Sequence, residues 1–242
     1  MLSGKHMLIT GSSRGIGASS ARLAQRYGAK VVIHGRTESP ALTALAAELD
    51  CPFLVFDAEE RDTVAGELRR LAEARGTIDA LVNCVGAVSP IPLPELRPDD
   101  FLADYRVNLV SAANVCLEAA LHMSEGGRIV NVSSMRGIPG GASARTTAYS
   151  ASKAALISFS VALAKQLAPR VCVNVVSPGM TVTDMAQTWD GKVWRQARSG
   201  LITRPAEPEE VAEVALFLAS ARASYINAQN VVVDGGYMTA GK

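Results

Sequence analysis

The sequence predicts an α/β protein: one domain over residues 1–242, built on a doubly wound, seven-stranded parallel sheet. Three observations lead there. Short β-branched runs alternate with helix-length amphipathic segments from end to end, the order that puts helices on both faces of a parallel sheet. Each run is apolar nearly throughout, as strands buried on both faces are. No linker interrupts the pattern, and 242 residues that are 48% hydrophobic can bury one core without disulfide or metal staples.

In chain order, the apolar runs predict strands at His6–Thr10, Lys30–His34, Pro52–Phe56, Ile78–Asn83, Arg128–Ser133, Val171–Val176 and Asn230–Val233. Between them, amphipathic segments predict helices at Ile16–Tyr27, Ser39–Leu49, Glu60–Ala74, Pro98–Met123, Thr147–Leu167 and Glu209–Ala219. Each strand can thus return to a parallel neighbour by a right-handed crossover. The segments Ser134–Thr146 and Pro178–Arg204 exceed ordinary βα-loop lengths, and long loops at the carboxyl edge of such a sheet are where ligands bind.

Composition narrows the function. The 24 Lys and Arg against 23 Asp and Glu leave a net charge of +1, which attracts neither nucleic acid nor anionic lipid. Cys51, Cys84, Cys116 and Cys172 are scattered without zinc or disulfide spacing and are expected to be buried free thiols. His6 and His34 read as strand residues and His122 as a helix terminus, so no metal site and no Ser-His-Asp hydrolase is expected. There is no signal-peptide pattern and no apolar stretch of membrane-spanning length. The expected location is the cytoplasm.

The first strand runs into Thr10-Gly11-Ser12-Ser13-Arg14-Gly15-Ile16-Gly17. Glycines at that point let backbone approach a ligand and leave helix N–H groups facing a diphosphate, so a dinucleotide is the natural partner. The second strand ends Ile33-His34-Gly35-Arg36. It lacks the terminal carboxylate that selects NAD, and Arg36 with Arg14 can clamp the extra phosphate of NADP. Glu38 supports the minority NAD reading, although beside Ser39-Pro40 it fits the start of the next helix. Asp57 suits an acceptor for the adenine amino group and an ordinary turn residue equally.

Tyr149 and Lys153 stand four apart at the start of a helix, hence on one face. A cation beside a phenol favours phenolate and brings its titration toward neutrality, making a proton donor and acceptor. Ser134 ends the preceding strand at the same sheet edge, where its hydroxyl can stabilise a carbonyl oxygen that gains charge as hydride arrives.

Together the glycine turn, Ser134, Tyr149 and Lys153 resemble the short-chain dehydrogenase/reductase family, with its Rossmann-like single domain, across essentially the whole chain. Asn83-Cys84-Val85-Gly86 resembles the family's N-x-A-G segment, Asn108 stands at its catalytic asparagine, Pro178-Gly179 and Thr183 match P-G-x-x-x-T, and Val233-Asp234-Gly235-Gly236 matches its terminal signature. The resemblance implies hydride transfer between a nicotinamide and a carbonyl or alcohol. Tyr149 is then the general acid in reduction, Ser134 holds the carbonyl oxygen, Lys153 lowers the Tyr149 pKa and binds the nicotinamide ribose, and Asn108 holds a water that passes protons to Lys153. It also implies cofactor contacts from Gly11, Ser13, Arg14, Gly15, Ile16 and Gly17, from Arg36, Asp57, Ala58, Asn83 and Gly86, from Tyr149 and Lys153, and from Pro178, Gly179, Thr181 and Thr183.

Within the family, Pro178-Gly179-Met180-Thr181-Val182-Thr183-Asp184-Met185 and Glu207-Pro208-Glu209-Glu210-Val211 are most similar to 3-oxoacyl-[acyl-carrier-protein] reductases. The expected function is NADPH-dependent reduction of a ketone, a 3-oxoacyl thioester first, with an acyl carrier protein as its candidate bearer and a homotetramer as the assembly. The alternatives are a sugar or secondary-alcohol dehydrogenase of the same fold and a non-catalytic dinucleotide-binding redox sensor. Departures from the family pattern are Val85 for a small alanine, Ala228 for a glycine, and a two-residue insertion between Ser134 and Tyr149. The carrier-binding basic residues are replaced by Met123-Ser124-Glu125-Gly126-Gly127, leaving Arg128 and Arg170. Arg136 and Arg145 could meet an anionic substrate, against the simpler expectation of solvated loop arginines. Trp189 and Trp194 lie where the family keeps a lid, either walling the substrate pocket or packing the lid itself.

Overall fold

The computed structural model describes residues 1–184, 186 and 189–240. The chain runs β1 (His6–Thr10), α1 (Gly15–Arg26), β2 (Lys30–Gly35), α2 (Pro40–Leu49), β3 (Phe53–Val55), α3 (Arg61–Arg75), β4 (Ile78–Asn83), α4 (Pro98–Tyr105) and α5 (Ser111–Leu121). It continues through β5 (Met123–Val132), α6 (Thr147–Leu167), β6 (Val171–Pro178), α7 (Gly191–Ala197), α8 (Pro208–Leu218) and β7 (Asn230–Val233). All pairings are parallel, in the order β3-β2-β1-β4-β5-β6-β7. The order reverses between β1 and β4, where the register sets Thr10 beside Asn83. Such a switch point opens a crevice at the carboxyl edge.

Strand periodicity divides the core. Met7, Ile9, Val31, Ile33, Ala80 and Val82 face α1, α2 and α8, whereas Leu8, Val32, Leu81, Ile129 and Val173 face α3, α5 and α6. Both sets are buried, which explains the unbroken apolar runs. Burying each large side chain contributes about 2 kcal/mol, so this double core holds the carboxyl edge rigid.

Three elements differ from expectation. The predicted helix Pro98–Met123 is a continuous helical stretch that ends at Leu121 and is interrupted by a π-helical turn at Arg106–Val110, with Asn108 inside it. A 3.6-residue apolar period does not signal such a turn, and π turns occur frequently at functional sites. The fifth strand begins at Met123 rather than Arg128, because Met123 pairs with Ile78 before a register shift brings Arg128 beside Ala80. Its glycines masked that start. The Pro178–Arg204 segment contains α7, whose N-terminus is capped by Asp190 accepting from the Val193 N–H at 2.8 Å. The expectation of buried thiols also needs correction: only Cys116 is fully buried, while Cys51, Cys84 and Cys172 are partly covered and all four are free. Among the described residues, no helix is long and apolar enough to cross a membrane.

Candidate active site

β1 and α1 create the glycine turn. Gly11 and Gly15 take positive φ of 60° and 56°, and a Cβ at Gly17 would lie 2.3 Å from the Gly11 carbonyl oxygen. Only glycine fits. Arg14 sits in extended conformation at the head of α1 and no side chain caps that end, so its N–H groups face outward for an anion. Ser12 staples the turn to the sheet, donating to Ile9 O at 2.9 Å and accepting from the His34 N–H at 2.8 Å. The Gly11 N–H donates to His34 Nδ1 at 3.2 Å, which leaves Nε2–H to donate to Phe56 O at 3.0 Å. Burial pushes His34 down to about 4, keeping it neutral in this tautomer. His34 is structural, as expected, but its support of the cofactor turn was not visible from its strand position alone.

Arg14 and Arg36 are exposed, and neither enters an ion pair among the described residues. Glu38 is exposed ahead of Ser39, whose hydroxyl caps α2 by accepting from the Leu42 N–H. Asp57 accepts from the Glu59 N–H at 3.0 Å, which is the turn-residue alternative in action. Ala58 is buried and its carbonyl accepts from Asn114 Nδ2 at 3.0 Å, an anchor that the sequence analysis missed. Asn83 uses its side chain inside the fold: Oδ1 accepts from Thr10 Oγ1 at 2.6 Å and Nδ2 donates to Ala112 O at 3.2 Å. Any cofactor contact from Asn83 therefore belongs to its backbone.

The second cluster comes from β5, the π turn and α6. Ser133 is a brace, donating to the Lys153 carbonyl at 2.9 Å, while Ser134 begins the short 3-10 turn Met135–Gly137 and accepts from the Arg136 N–H at 3.1 Å. Gly137 lets that turn lie directly on α6, since a Cβ there would be 2.6 Å from the Lys153 carbonyl carbon. Lys153 is 3% exposed; its Nζ donates to Val132 O at 3.1 Å and lies 5.9 Å from the centre of the Tyr149 ring. A Cβ at Gly86 would stand 2.9 Å from both Lys153 Nζ and Asn108 Oδ1. The glycine of the N-x-A-G segment thus leaves the space that the lysine and asparagine side chains both flank. Asn108 is wholly buried, and its Oδ1 accepts from the Ala87 N–H at 3.0 Å.

The electrostatics differ from the sequence expectation in one respect. Burial pushes the Tyr149 phenol up and outweighs the Ser134 hydroxyl and the Arg136 charge, which pull it down. Lys153 is not among the groups that lower it. Its own ammonium is brought down to about 8 by burial, with Cys84 and Asp104 opposing. Sequence spacing identifies neighbours but not desolvation, which here dominates both groups.

The Pro178 loop closes over the turn. The Gly179 N–H donates to Val233 O at 2.8 Å, Thr181 bridges to Ala206, and the Thr183 methyl would be 3.2 Å from a Cβ at Gly15. Asp234 folds the terminal signature by accepting from the Gly236 and Met238 N–H groups, both at 2.9 Å. Met185 lies outside the described residues. Ser13, Arg14, Ser19, Arg22, Thr183 and Trp194 help line an open groove of about 550 Å³. Trp189 and Trp194 pack edge to face at 5.1 Å, favouring the lid-packing alternative, and Arg198 lies over Trp194. Arg145, in the insertion, acts electrostatically on Asp190 ahead of α7, so insertion and lid are neighbours. Arg170 bonds Met123 O and Ala120 O, and Arg128 bonds Gly126 O and Gly127 O. Both basic residues left near the carrier-binding position hydrogen-bond backbone carbonyls of their own chain, Arg128 through Nη1 alone.

These features fit a dinucleotide: an uncapped helix start, a glycine cradle that side chains would fill, two arginines without acidic partners among the described residues, and a lysine and tyrosine at the same edge. Residues 11–238 match the family described as enoyl-(acyl carrier protein) reductase. The chain belongs to the short-chain dehydrogenase/reductase family and is an oxidoreductase acting on a CH–OH/C=O pair. It is 35% identical to the 3-oxoacyl-[acyl-carrier-protein] reductase FabG of Chlamydia muridarum over 98% of each chain. It is 36% identical to the FabG of Thermotoga maritima over 97% of this chain and 98% of that protein's length. Among solved structures, a short-chain dehydrogenase from Burkholderia cenocepacia in complex with NADP is similar with a TM-score of 0.89, at 33% identity over 98% of each chain.

Proposed function

We propose that this protein reduces a ketone to a secondary alcohol with NADPH, and that its substrate is a 3-oxoacyl thioester. The observation that carries the reading is the convergence of Ser134, Tyr149 and Lys153, with Asn108 and Lys153 flanking the same space at Gly86. Arg14 and Arg36, exposed and without acidic partners among the described residues, would hold the ribose phosphate that separates NADPH from NADH. The likeness to an NADP complex and to two FabG reductases supports both parts.

A bound reduced nicotinamide supplies the hydride to the carbonyl carbon. Ser134 hydrogen-bonds the carbonyl oxygen, and Tyr149 gives that oxygen its proton as the C–H bond forms. Burial keeps Tyr149 protonated at neutral pH, the state that a general acid needs. Lys153 remains largely an ammonium below about 8, ready to bind the nicotinamide ribose and reprotonate Tyr149.

The test is NADPH oxidation with acetoacetyl groups on an acyl carrier protein, on a small free thioester and on a simple ketone, with NADH in parallel. Thioester turnover with NADPH is expected. Because Arg128 and Arg170 are bonded within the chain, comparing carrier-bound and free thioester decides whether a carrier protein delivers the substrate. The second reading, a dehydrogenase of sugars or secondary alcohols, draws on Arg136: its charge acts on Tyr149 and it forms no ion pair among the described residues, which suits a polar substrate. Turnover confined to such alcohols would replace the thioester reading.

A further inference from the structure

We propose that Asp104 is a positioning residue of the proton relay: with Asn108 it holds a buried water through which its carboxyl returns a proton to Lys153. This inference rests on the ketone-reduction reading. Asp104 is 3% exposed, and its Oδ2 has no hydrogen-bond partner among the described residues. One turn further on, Asn108 is wholly buried, and its Nδ2 is unpartnered in the same way. One orphan is an acceptor and the other a donor, four residues apart on one side of the helix. Left alone, both would destabilise the fold. One water accepting from Asn108 Nδ2 and donating to Asp104 Oδ2 satisfies both and keeps a hydrogen and a lone pair for a third group.

Lys153 is placed to be that third group. α4 and the π turn pack against α6, and Lys153 Nζ and Asn108 Oδ1 would each lie 2.9 Å from a Cβ at Gly86, so both flank the same small space. Among the described residues, only Val132 O accepts from its ammonium. The charged and titratable groups around Asp104 are Asp100 on its own helix and Lys153 and Tyr149 on α6. Behind these stand Arg136, acting on Tyr149, and Cys84, acting on Lys153. Burial and Asp100 raise the Asp104 carboxyl while Lys153 lowers it, so it takes up a proton more readily than an exposed aspartate.

The proton count closes over one turnover. The Tyr149 O–H breaks as its proton passes to the substrate oxygen, and the Lys153 ammonium reprotonates the phenolate. Asp104, a carboxylate at rest, takes up a proton from solvent, helped by the burial and the Asp100 charge that raise it, and passes a proton through the water to the Lys153 amine. It ends the turnover as the carboxylate that it began as. The net proton consumed by reduction thus comes from water.

The test uses the full chain with Asp104→Asn, which keeps the shape and removes the titration. Turnover should fall about tenfold while substrate KM and NADPH affinity change by less than about twofold. The basic limb of the turnover profile should move to lower pH, because the Asp104 charge raises both Lys153 and Tyr149. A readout independent of turnover is the near-ultraviolet phenolate absorbance of Tyr149, isolated by difference from Tyr149→Phe; its midpoint should also move down in Asp104→Asn. The melting temperature should hold or rise, since a buried unpaired carboxylate is gone. Unchanged turnover and titration would overturn the proposal, as would parallel losses of turnover, NADPH affinity and melting temperature. If the unsubstituted protein reduces no ketone, the ketone-reduction reading fails, and the Tyr149 titration still decides the coupling to Asp104.

Discussion

The backbone N–H of Gly11 donates to Nδ1 of His34 at 3.2 Å, so the phosphate turn depends on the protonation state of a residue buried in β2. With Phe56 O accepting from Nε2, a second proton on the ring would force Nδ1–H against the Gly11 N–H. His34 titrates at about 4 in the fold and about 6.5 when unfolded. Between these values the unfolded chain binds more protons, so stability rises with pH across roughly 4–6.5 and gains nothing further from this group above it. The full effect is about 3 kcal/mol. Urea midpoints measured through that window should show the slope, and His34→Gln should flatten it; an unchanged slope would remove His34 as its cause.

In the proposed reading Arg14 and Arg36 would reach the cofactor from different elements, the head of α1 and the residue just past β2. Replacing either with alanine should weaken NADPH binding about tenfold or more and leave NADH nearly unchanged, because only NADPH carries the extra phosphate. Fluorescence titration with both nucleotides checks this. An equal loss for the two would place the arginines on the shared diphosphate instead.

The sheet was legible because its strands are buried on both faces and its helices are long; the strands His6–Thr10, Ile78–Asn83 and Asn230–Val233 have the bounds expected from pattern alone. The gathering of Tyr149, Lys153 and Ser134 at one sheet edge was legible because an i, i+4 pair shares a helix face and a strand end fixes the edge. Other features depend on three-dimensional packing. The π turn at Asn108, the desolvation that raises Tyr149 and the Gly11–His34 bond leave no periodic signal. Asp104 shows the limit most clearly: its spacing from Asn108 was there to see, but only the fold reveals a buried carboxylate oxygen with no hydrogen-bond partner among the described residues.

Tyr149→Phe removes the proton donor and little of the surface that a cofactor meets. Turnover should fall by about 10²-fold or more, with NADPH affinity changed less than about twofold. Reduction by the unsubstituted protein should decline as pH rises through about 8, where Lys153 loses its ammonium proton. Stopped-flow turnover alongside equilibrium binding separates these effects, and a fully active phenylalanine variant would refute Tyr149 as the acid.

The long helix leaves Leu102, Val110 and Leu121 exposed at 60%, 39% and 72%, and these residues belong to the helices expected to pair in a homotetramer. Sedimentation should give the mass of four chains, and Leu102→Glu with Val110→Glu should lower it. A monomer in the unsubstituted protein would refute the assembly.

Ala228 occupies the position before β7 where the family commonly has glycine, and it adopts a positive φ of 57°. Its N–H is held by Val173 O at 2.9 Å and by Asn227 Oδ1 at 3.0 Å, which fixes the strained conformation. An L-residue there costs about 1–2 kcal/mol. Glycine removes that cost but gains freedom in the unfolded chain worth about 0.5–1 kcal/mol. The alanine methyl also packs against the core face formed with α3, α5 and α6, so part of the gain is lost. The balance still favours glycine by about 0.5 kcal/mol, or a melting temperature about 1–2 °C higher for a chain of this size. Ala228→Val should destabilise, because a β-branched side chain tolerates this region less well. If calorimetry shows glycine melting below alanine, the lost methyl contact outweighs the relieved backbone.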